Sequence, residues 1–346
     1  MSARARGVWP NRGRYNLPRP PRGDHPTHHL SRAWAGAALC LAAAAGYGAA
    51  PVLARLGYEA GMTVATLLAL RFGLATAALA GAQAGAGRQA LQSLRSPVAV
   101  TGLLLGAAVY SAAAICYFRA LLDLDPGTAA IIVYCYPAVV VLGAAALGWE
   151  RLSARAGLAA VAAMAGVALV SATGADRRAT VAGILFALGS AVAYAVFLLA
   201  SSRLVGREAR GLTLATATCA GAFASITVLG LAGVVGGSLS ADFAARGLLI
   251  AAGIALLATA LPIAFTLAGL SRVSPTVAAV LGAGEPVVAV ALAAAVFGTL
   301  PTGLQGVGAL LVLGGVLAIV TRPAAPGPRP PAAAAAQSAC RTPERG

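Results

Sequence analysis

The chain has 346 residues, of which 59% are hydrophobic and only 10% are charged, and its mean hydropathy is +0.84. Soluble domains carry roughly a quarter charged residues, so this composition excludes an ordinary soluble protein and predicts a polytopic membrane protein. The net charge of +15 comes from arginines in the tails and in short connectors without interleaved aromatic residues, so no nucleic-acid partner is expected.

Ten apolar segments follow one another along the chain, each close to the roughly 20 residues that a bilayer helix needs. We call them spans 1 to 10; they cover about 34–54, 62–83, 97–119, 127–147, 155–173, 180–202, 212–236, 247–269, 276–297 and 303–321. The pattern predicts an all-α integral membrane protein with ten transmembrane helices. Residues 1–33 and 322–346, rich in Arg, Pro, Gly or Ala, are predicted to be disordered tails.

Arginine placement predicts the orientation of the chain. If the N-terminus is cytoplasmic, nineteen arginines lie in the tails and inside connectors, and five lie in the outside connectors. Because cytoplasmic connectors carry the excess of positive charge, both termini are expected in the cytoplasm.

The sequence repeats itself at an offset of 149 residues, which becomes 147 towards the start of each copy. The aligned pairs include Pro126 with Pro275, Pro137 with Pro286, Tyr136 with Glu285 and, at the offset of 147, Tyr47 with Tyr194. Each copy holds five spans, and an odd number forces the second copy to enter the membrane upside down. Such inverted repeats are typical of secondary transporters, whose binding site lies near the midplane between the halves.

The two copies resemble the paired EamA domains of the drug/metabolite transporter superfamily. The resemblance is carried by residues 126–152, with Tyr136-Pro137 and Leu147-Gly148-Trp149-Glu150-Arg151, and by Glu285-Pro286 followed by residues 289–297 in the second copy. One departure is that the second copy has Thr299 where the first has Glu150.

This resemblance implies a first EamA repeat at 34–173 and a second at 180–321, with a central cavity lined mainly by spans 1, 3, 4, 6, 8 and 9. It implies export of small metabolites, amino acids or toxic compounds, driven by an ion gradient or by the solute's own gradient. The expected location is the bacterial inner membrane, with a small-molecule solute and bilayer lipid as partners; a homodimer is left open.

Glu285 is the only acidic residue near the middle of a long apolar run. A carboxylate at that depth costs about 2.5 to 3.5 kcal/mol on insertion scales, and intramembrane acids normally mark substrate or proton pathways. We therefore favour a solute-binding or proton-binding role, against a hydrogen bond across helices or a structural pairing with Arg71.

Arg71 is the only basic residue well inside a span. It could bind a substrate carboxylate with two parallel hydrogen bonds, or it could neutralise a neighbour or bind a free backbone end. The structural role is slightly favoured.

Tyrosines and prolines complete the candidate site. The tyrosines predicted to line a mixed polar and aromatic cavity wall, suited to small amphiphilic solutes, are Tyr47, Tyr110, Tyr134, Tyr136 and Tyr194. Pro137 and Pro286, the repeat-related prolines, remove backbone hydrogen bonds within spans and are predicted to act as gating hinges. Gly102 and Gly106 predict close helix packing of the small-x-x-x-small kind.

Several kinds of chemistry are excluded or not expected. The chain has no lysine, which excludes a P-loop and a Schiff-base lysine, and its three histidines all lie in the first 33 residues. We therefore expect no catalytic residues, no cofactor and no metal site within the spans. The main prediction is a secondary transporter; the alternative is a membrane enzyme or receptor-like protein that uses the same cavity without transport.

Overall fold

The structure is a computed structural model that describes residues 26–124, 129, 132–150, 153–171, 180–205, 209–235, 237–298 and 302–320. Within these residues every regular element is a helix. Spans 1 to 5 correspond to helices Pro26–Gly48 with Ala50–Glu59, Val64–Gly85, Pro97–Leu104 with Leu105–Tyr110 and Ser111–Asp123, Tyr136–Ala146, and Ala154–Ser171. Spans 6 to 10 correspond to Val181–Leu204, Ala209–Leu231, Arg246–Ala255 with Leu256–Ala260 and Leu261–Leu270, Pro275–Gly282 with Glu285–Phe297, and Gly303–Val320. A short helix, Arg88–Ser93, joins spans 2 and 3.

The helices confirm the membrane class. Seven stretches of the described chain, in spans 1, 2, 3, 6, 7, 8 and 9, are long and apolar enough to cross a bilayer, while spans 4, 5 and 10 form shorter apolar helices. Large apolar side chains such as Leu249, Val181 and Leu310 lie on the outside of the bundle, where lipid would cover them. The first helix begins at Pro26, before the predicted start of span 1; the rest of the predicted tails lies outside the described residues.

The helices pack with a two-fold pattern that follows the sequence repeat. Spans 2 and 7, 4 and 9, and 5 and 10, which are repeat equivalents, pack against each other. Span 1 packs on span 8, and its equivalent, span 6, packs on span 3, which is the equivalent of span 8. The two copies therefore interlock rather than forming separate domains.

Spans 4 and 9 are interrupted at equivalent places. The turn at residues 134–135 precedes the helix that begins at Tyr136, and the turn at residues 283–284 precedes the helix that begins at Glu285. Pro137 and Pro286 lie in the first turn of these new helices. A proline is tolerated there because the first N–H groups of a helix have no partner within it. The prolines thus begin new helices instead of bending continuous ones.

Spans 3 and 8 share a second irregularity, a π-helical turn at Leu105–Tyr110 and at Leu256–Ala260. Wider turns of this kind interrupt the regular hydrogen-bond ladder and recur at functional sites. Their occurrence in repeat-equivalent spans adds to the evidence for an internal duplication.

The connectors gather at two opposite ends of the bundle. At the end that we call arginine-rich, Arg155 Nε donates to the Ala318 carbonyl at 2.7 Å, and the Arg203 guanidinium lies 3.8 Å from the centre of the Trp149 ring. At the opposite end, the Thr66 hydroxyl donates to the Ser240 carbonyl at 3.0 Å and the Ala244 N–H donates to the Ala60 carbonyl at 2.9 Å. These groupings match the predicted inside and outside connectors.

Candidate solute-binding site

Glu285 is the first residue of the second helix of span 9 and is half-buried in the middle of the bundle. The Tyr134 hydroxyl, in the equivalent turn of span 4, hydrogen-bonds with its carboxyl group. The break in span 1 reaches the same place, because a Cβ atom on Gly48 would lie 2.8 Å from the Glu285 carbonyl oxygen. The interrupted helices of spans 1, 4 and 9 therefore meet at Glu285.

The N-terminal position of Glu285 offsets part of its burial cost. The free N–H groups and the dipole of the helix Glu285–Phe297 favour negative charge at its start. The position at the helix start and the hydrogen bond with the Tyr134 hydroxyl both stabilise the buried carboxyl group. Neither of them brings a full positive charge to it.

Aromatic rings from four spans form a continuous wall beside Glu285. The ring-to-ring distances are 5.8 Å for Phe72–Tyr110, 4.6 Å for Tyr110–Phe197, 6.2 Å for Phe197–Tyr194, 4.9 Å for Tyr194–Tyr136 and 5.9 Å for Tyr136–Tyr134. Such edge-to-face, tilted and stacked pairs stabilise particular ring orientations beyond the effect of burial. Tyr134 and Tyr194 remain half-buried, whereas Tyr110 and Tyr136 are buried.

Besides Tyr134, three tyrosines form hydrogen bonds within the protein through their hydroxyl groups. Tyr47 and Tyr110 face each other with their hydroxyl oxygens 3.3 Å apart, which links span 1 to span 3. The Tyr136 hydroxyl donates to the Ala279 carbonyl at 3.1 Å and packs against Gly282, where a Cβ atom would collide with it. This bond fixes span 4 to the first half of span 9.

Arg71 lies half-buried in span 2 and contacts the π-helical turn of span 8. Its Nε donates to Thr259 Oγ1 at 2.6 Å and its Nη2 donates to the Ala258 carbonyl at 3.2 Å. Arg71 also interacts electrostatically with Glu285, but the two side chains form no ion pair within 4.0 Å. Among the described residues the one ion pair found is Arg55–Glu59, at a helix end.

All seven predicted binding residues thus belong to one connected cluster, linked by hydrogen bonds, ring contacts and electrostatic interactions. Sequence reasoning missed three neighbours, Phe72, Phe197 and Thr259. Phe197 could have been predicted from the sequence, since it lies one turn after Tyr194 on the same helix face. Thr259 could not have been predicted, because its contact with Arg71 depends on a helix irregularity that no sequence pattern marks.

Glu150 does not belong to this cluster. It lies at the arginine-rich end, where its carboxylate accepts from Ser274 Oγ at 3.2 Å and from the Thr276 N–H at 3.3 Å. The acid of the first repeat therefore caps the helix that opens span 9. Its counterpart Thr299 lies outside the described residues.

The cluster offers one carboxyl group, one guanidinium and a set of phenol rings. No group of three or more His, Cys, Asp and Glu side chains that could hold a metal ion occurs in the described ranges. These residues can bind a charged or aromatic solute and can take up or release a proton.

A duplicated helical bundle with interrupted spans and an acid at their crossing has the architecture of a polytopic membrane transporter. The model of the EamA-like transporter family matches residues 34–172 and 181–321. The chain therefore belongs to the EamA-like transporter family, and the two predicted repeats are confirmed.

Comparison with solved structures supports the same fold. One crystal structure is similar over 85% of this chain and 96% of its own, with a TM-score of 0.69 and 20% sequence identity. At this identity the likeness shows the fold alone. Among curated proteins, no match was found.

Proposed function

We propose that this chain is a secondary transporter that exports a small metabolite, amino acid or toxic compound from the cytoplasm by alternating access, with Glu285 as its solute-binding or proton-binding group. The observation that carries the proposal is the place of Glu285. It is a half-buried carboxyl group at the crossing of three interrupted helices, hydrogen-bonded with Tyr134 and not ion-paired with Arg71. Intramembrane acids of this kind mark solute or proton pathways.

The helix interruptions supply places where the bundle can rearrange. Short turns separate rigid helices in spans 4 and 9, and Pro137 and Pro286 prevent the two helices on either side from joining into a regular ladder. Alternating access needs a few such positions to absorb a change in backbone dihedral angles while the packed helices move as units. We propose these turns, with their prolines, as the hinges.

The aromatic wall supports a solute with an apolar or aromatic part. Rings from spans 2, 3, 4 and 6 surround the carboxyl group, and Tyr134 and Tyr194 retain accessible surface beside it. A cationic group on the solute would be attracted both by the carboxylate and by the faces of these rings. The proposal therefore favours small amphiphilic solutes over large polar ones.

The orientation proposal places the arginine-rich end in the cytoplasm of a bacterial cell. It is supported by the connectors that meet there, which carry Arg88, Arg95, Arg155, Arg203 and Arg272. The bacterial inner membrane is proposed because it is where proteins resembling these domains export solutes.

Everted membrane vesicles test the function directly. Vesicles energised to an acidic lumen are loaded with a pH-gradient dye, and a panel of amino acids, aromatic amines and quaternary ammonium compounds is added in turn. A transported solute that exchanges for protons releases part of the pH gradient and accumulates in the lumen. Glu285→Gln should abolish both signals.

Glu59→Gln is the matched control, because Glu59 is an exposed acid at a helix end and its substitution makes the same chemical change away from the cluster. This variant should transport like the wild type. Solute-dependent proton release at wild-type rate in Glu285→Gln vesicles, with equal protein in the membrane, would falsify the proposed role of Glu285.

A further inference from the structure

The guanidinium of Arg71 joins the two repeats through hydrogen bonds to one π-helical turn of span 8. Arg71 Nε donates to Thr259 Oγ1 at 2.6 Å, and Thr259 Oγ1 itself donates to the Ile254 carbonyl at 2.9 Å. The second bond of Arg71, to the Ala258 carbonyl at 3.2 Å, ends on the same π-helical turn. Thr259 and Ala258 are fully buried, so water does not compete for these acceptors.

Arg71 and Glu285 interact electrostatically without forming an ion pair. Their electrostatic interaction is present, yet no nitrogen of Arg71 lies within 4.0 Å of a Glu285 carboxylate oxygen. Because Coulomb attraction grows as the effective dielectric constant falls, a guanidinium free to move beside an intramembrane carboxylate would pair with it. In the structure, two hydrogen bonds to span 8 hold the guanidinium instead.

Other groups around the carboxyl do not supply a competing positive charge. Those that interact with it electrostatically, besides Arg71, are Tyr110 and Tyr117 of span 3, Tyr134 and Tyr136 of span 4, and Tyr194 of span 6. Span 1 presents Tyr47 and Cys40 to the same cluster. Among described residues of spans 5, 8 and 10, the charged groups are Arg155 and Arg246, and both lie at helix ends.

We propose that Thr259 is a positioning residue that holds Arg71 on span 8 and so prevents an Arg71–Glu285 ion pair. The Glu285 carboxyl group then stays available for a proton or for a cationic group of the solute. This inference rests on the proposed function of Glu285, but its test does not require transport.

The test measures the reactivity of the Glu285 carboxyl group with dicyclohexylcarbodiimide. A protonated carboxyl group in a membrane adds across a C=N bond of this apolar reagent, and the acyl group then migrates to nitrogen, which leaves a stable N-acylurea adduct. Purified full-length protein in phosphatidylcholine liposomes is labelled, and the Glu285 adduct is quantified by peptide mass spectrometry, with Glu285→Gln as the blank. The variants compared are Thr259→Val, which keeps the shape but lacks the hydroxyl, and Thr259→Ser, which keeps the hydroxyl.

Thr259→Val should lower the labelling rate of Glu285 about tenfold, because a guanidinium that pairs with the carboxylate favours its ionised form, which does not react with the reagent. Thr259→Ser should label at the wild-type rate. In an Arg71→Gln background, Thr259→Val should have no further effect, since no guanidinium remains to be released. Arg71→Lys, whose ammonium cannot reproduce both bonds, should lower labelling in the same direction and serves if Thr259→Val does not fold.

Three results would overturn the proposal. They are wild-type labelling in Thr259→Val, equal losses in Thr259→Val and Thr259→Ser, and a persisting loss in the Arg71→Gln background. Failure of the proposed function is a separate outcome, since it is seen as normal proton-coupled flux in Glu285→Gln, whatever the labelling shows.

Discussion

Replacing Gly106 by Ala should destabilise the protein, because the space beside this residue is bounded by backbone. A Cβ atom there would collide with the Thr218 carbonyl oxygen and would lie 2.7 Å from the Thr218 carbonyl carbon and 2.8 Å from its Cα. Carbon atoms in comfortable contact are about 3.5 to 4.0 Å apart. Spans 3 and 7 would therefore have to separate by about 0.7 Å or more.

The backbones of spans 3 and 7 are also too close for a side chain at Gly221 of span 7. A Cβ atom on Gly221 of span 7 would collide with the Leu103 carbonyl oxygen and lie 2.8 Å from the Ala107 nitrogen of span 3. No side-chain rotation can relieve a contact between two backbones. Overpacking costs about 1 to 3 kcal/mol, and the upper end applies here. Since Ala is favoured over Gly in a helix by about 0.5 to 1 kcal/mol, the expected net loss is about 2 kcal/mol.

Reversible unfolding in mixed micelles of dodecyl maltoside and sodium dodecyl sulfate measures this loss. Gly81→Ala is the matched control, because a Cβ atom at Gly81 meets nothing within 4 Å, so this variant should gain about 0.5 to 1 kcal/mol. Gly221→Ala should resemble Gly106→Ala, and the double variant should lose less than the sum, because one separation relieves both collisions. Wild-type stability of Gly106→Ala would refute the close approach of spans 3 and 7.

Three further predictions concern the cap of span 9, the bond between spans 4 and 9, and the orientation. Glu150→Ala should lower the free energy of unfolding by about 1 kcal/mol, as loss of a helix cap does, whereas Glu59→Ala should change it by less than about 0.5 kcal/mol; equal losses would contradict the capping role. Tyr136→Phe should lower the free energy of unfolding by about 1 kcal/mol, because it removes the buried hydrogen bond to the Ala279 carbonyl. Tyr58→Phe, at an exposed position, is the control and should leave the free energy of unfolding almost unchanged. An unchanged free energy in Tyr136→Phe would contradict that hydrogen bond. In a cysteine-free background, Arg55→Cys should react with a membrane-impermeant maleimide in intact cells and Arg88→Cys should not; the reverse result would invert the proposed orientation.

The helices and the repeat could be predicted from sequence because both depend on local signals. Apolar runs located the apolar helices of the described residues, seven of which are long enough to cross a bilayer, and Pro137 and Pro286 marked the equivalent interruptions of spans 4 and 9. The prolines predicted a break but not its form. The turn lies two residues before each proline, because proline is favoured in the first turn of the helix that follows.

The parts of the site that escaped prediction depend on where distant helices cross. The sequence singled out Arg71 but could not show its partners, since Thr259 is 188 residues away in a π-helical turn without a sequence signature. Likewise, Glu150 was recognisable as part of a motif, but its bond to Thr276 depends on the packing of one repeat's connector on the other repeat's span. Contacts of this kind are decided by tertiary structure.

The duplication also explains why the site is asymmetric although the packing is two-fold. At the offset of 149 residues, Glu285 corresponds to Tyr136, and at the offset of 147 residues Arg71 corresponds to Thr218. Each repeat therefore contributes one charge. The position equivalent to Glu285 carries Tyr136, whose hydroxyl donates to the Ala279 carbonyl, and the position equivalent to Arg71 carries Thr218, a buried neutral residue.

A single acid at the crossing of spans 4 and 9 also suits the proposed alternating access. If both copies carried the acid, two carboxyl groups would meet near the crossing of spans 4 and 9, and their repulsion would have to be relieved by a bound proton or cation. With one acid and one base on opposite repeats, a single carboxyl group lies at the crossing, and no such repulsion arises. In the proposed mechanism, the hydrogen bond from Arg71 to Thr259 keeps these two charges from pairing, and Glu285 is left for a proton or a cationic group of the solute.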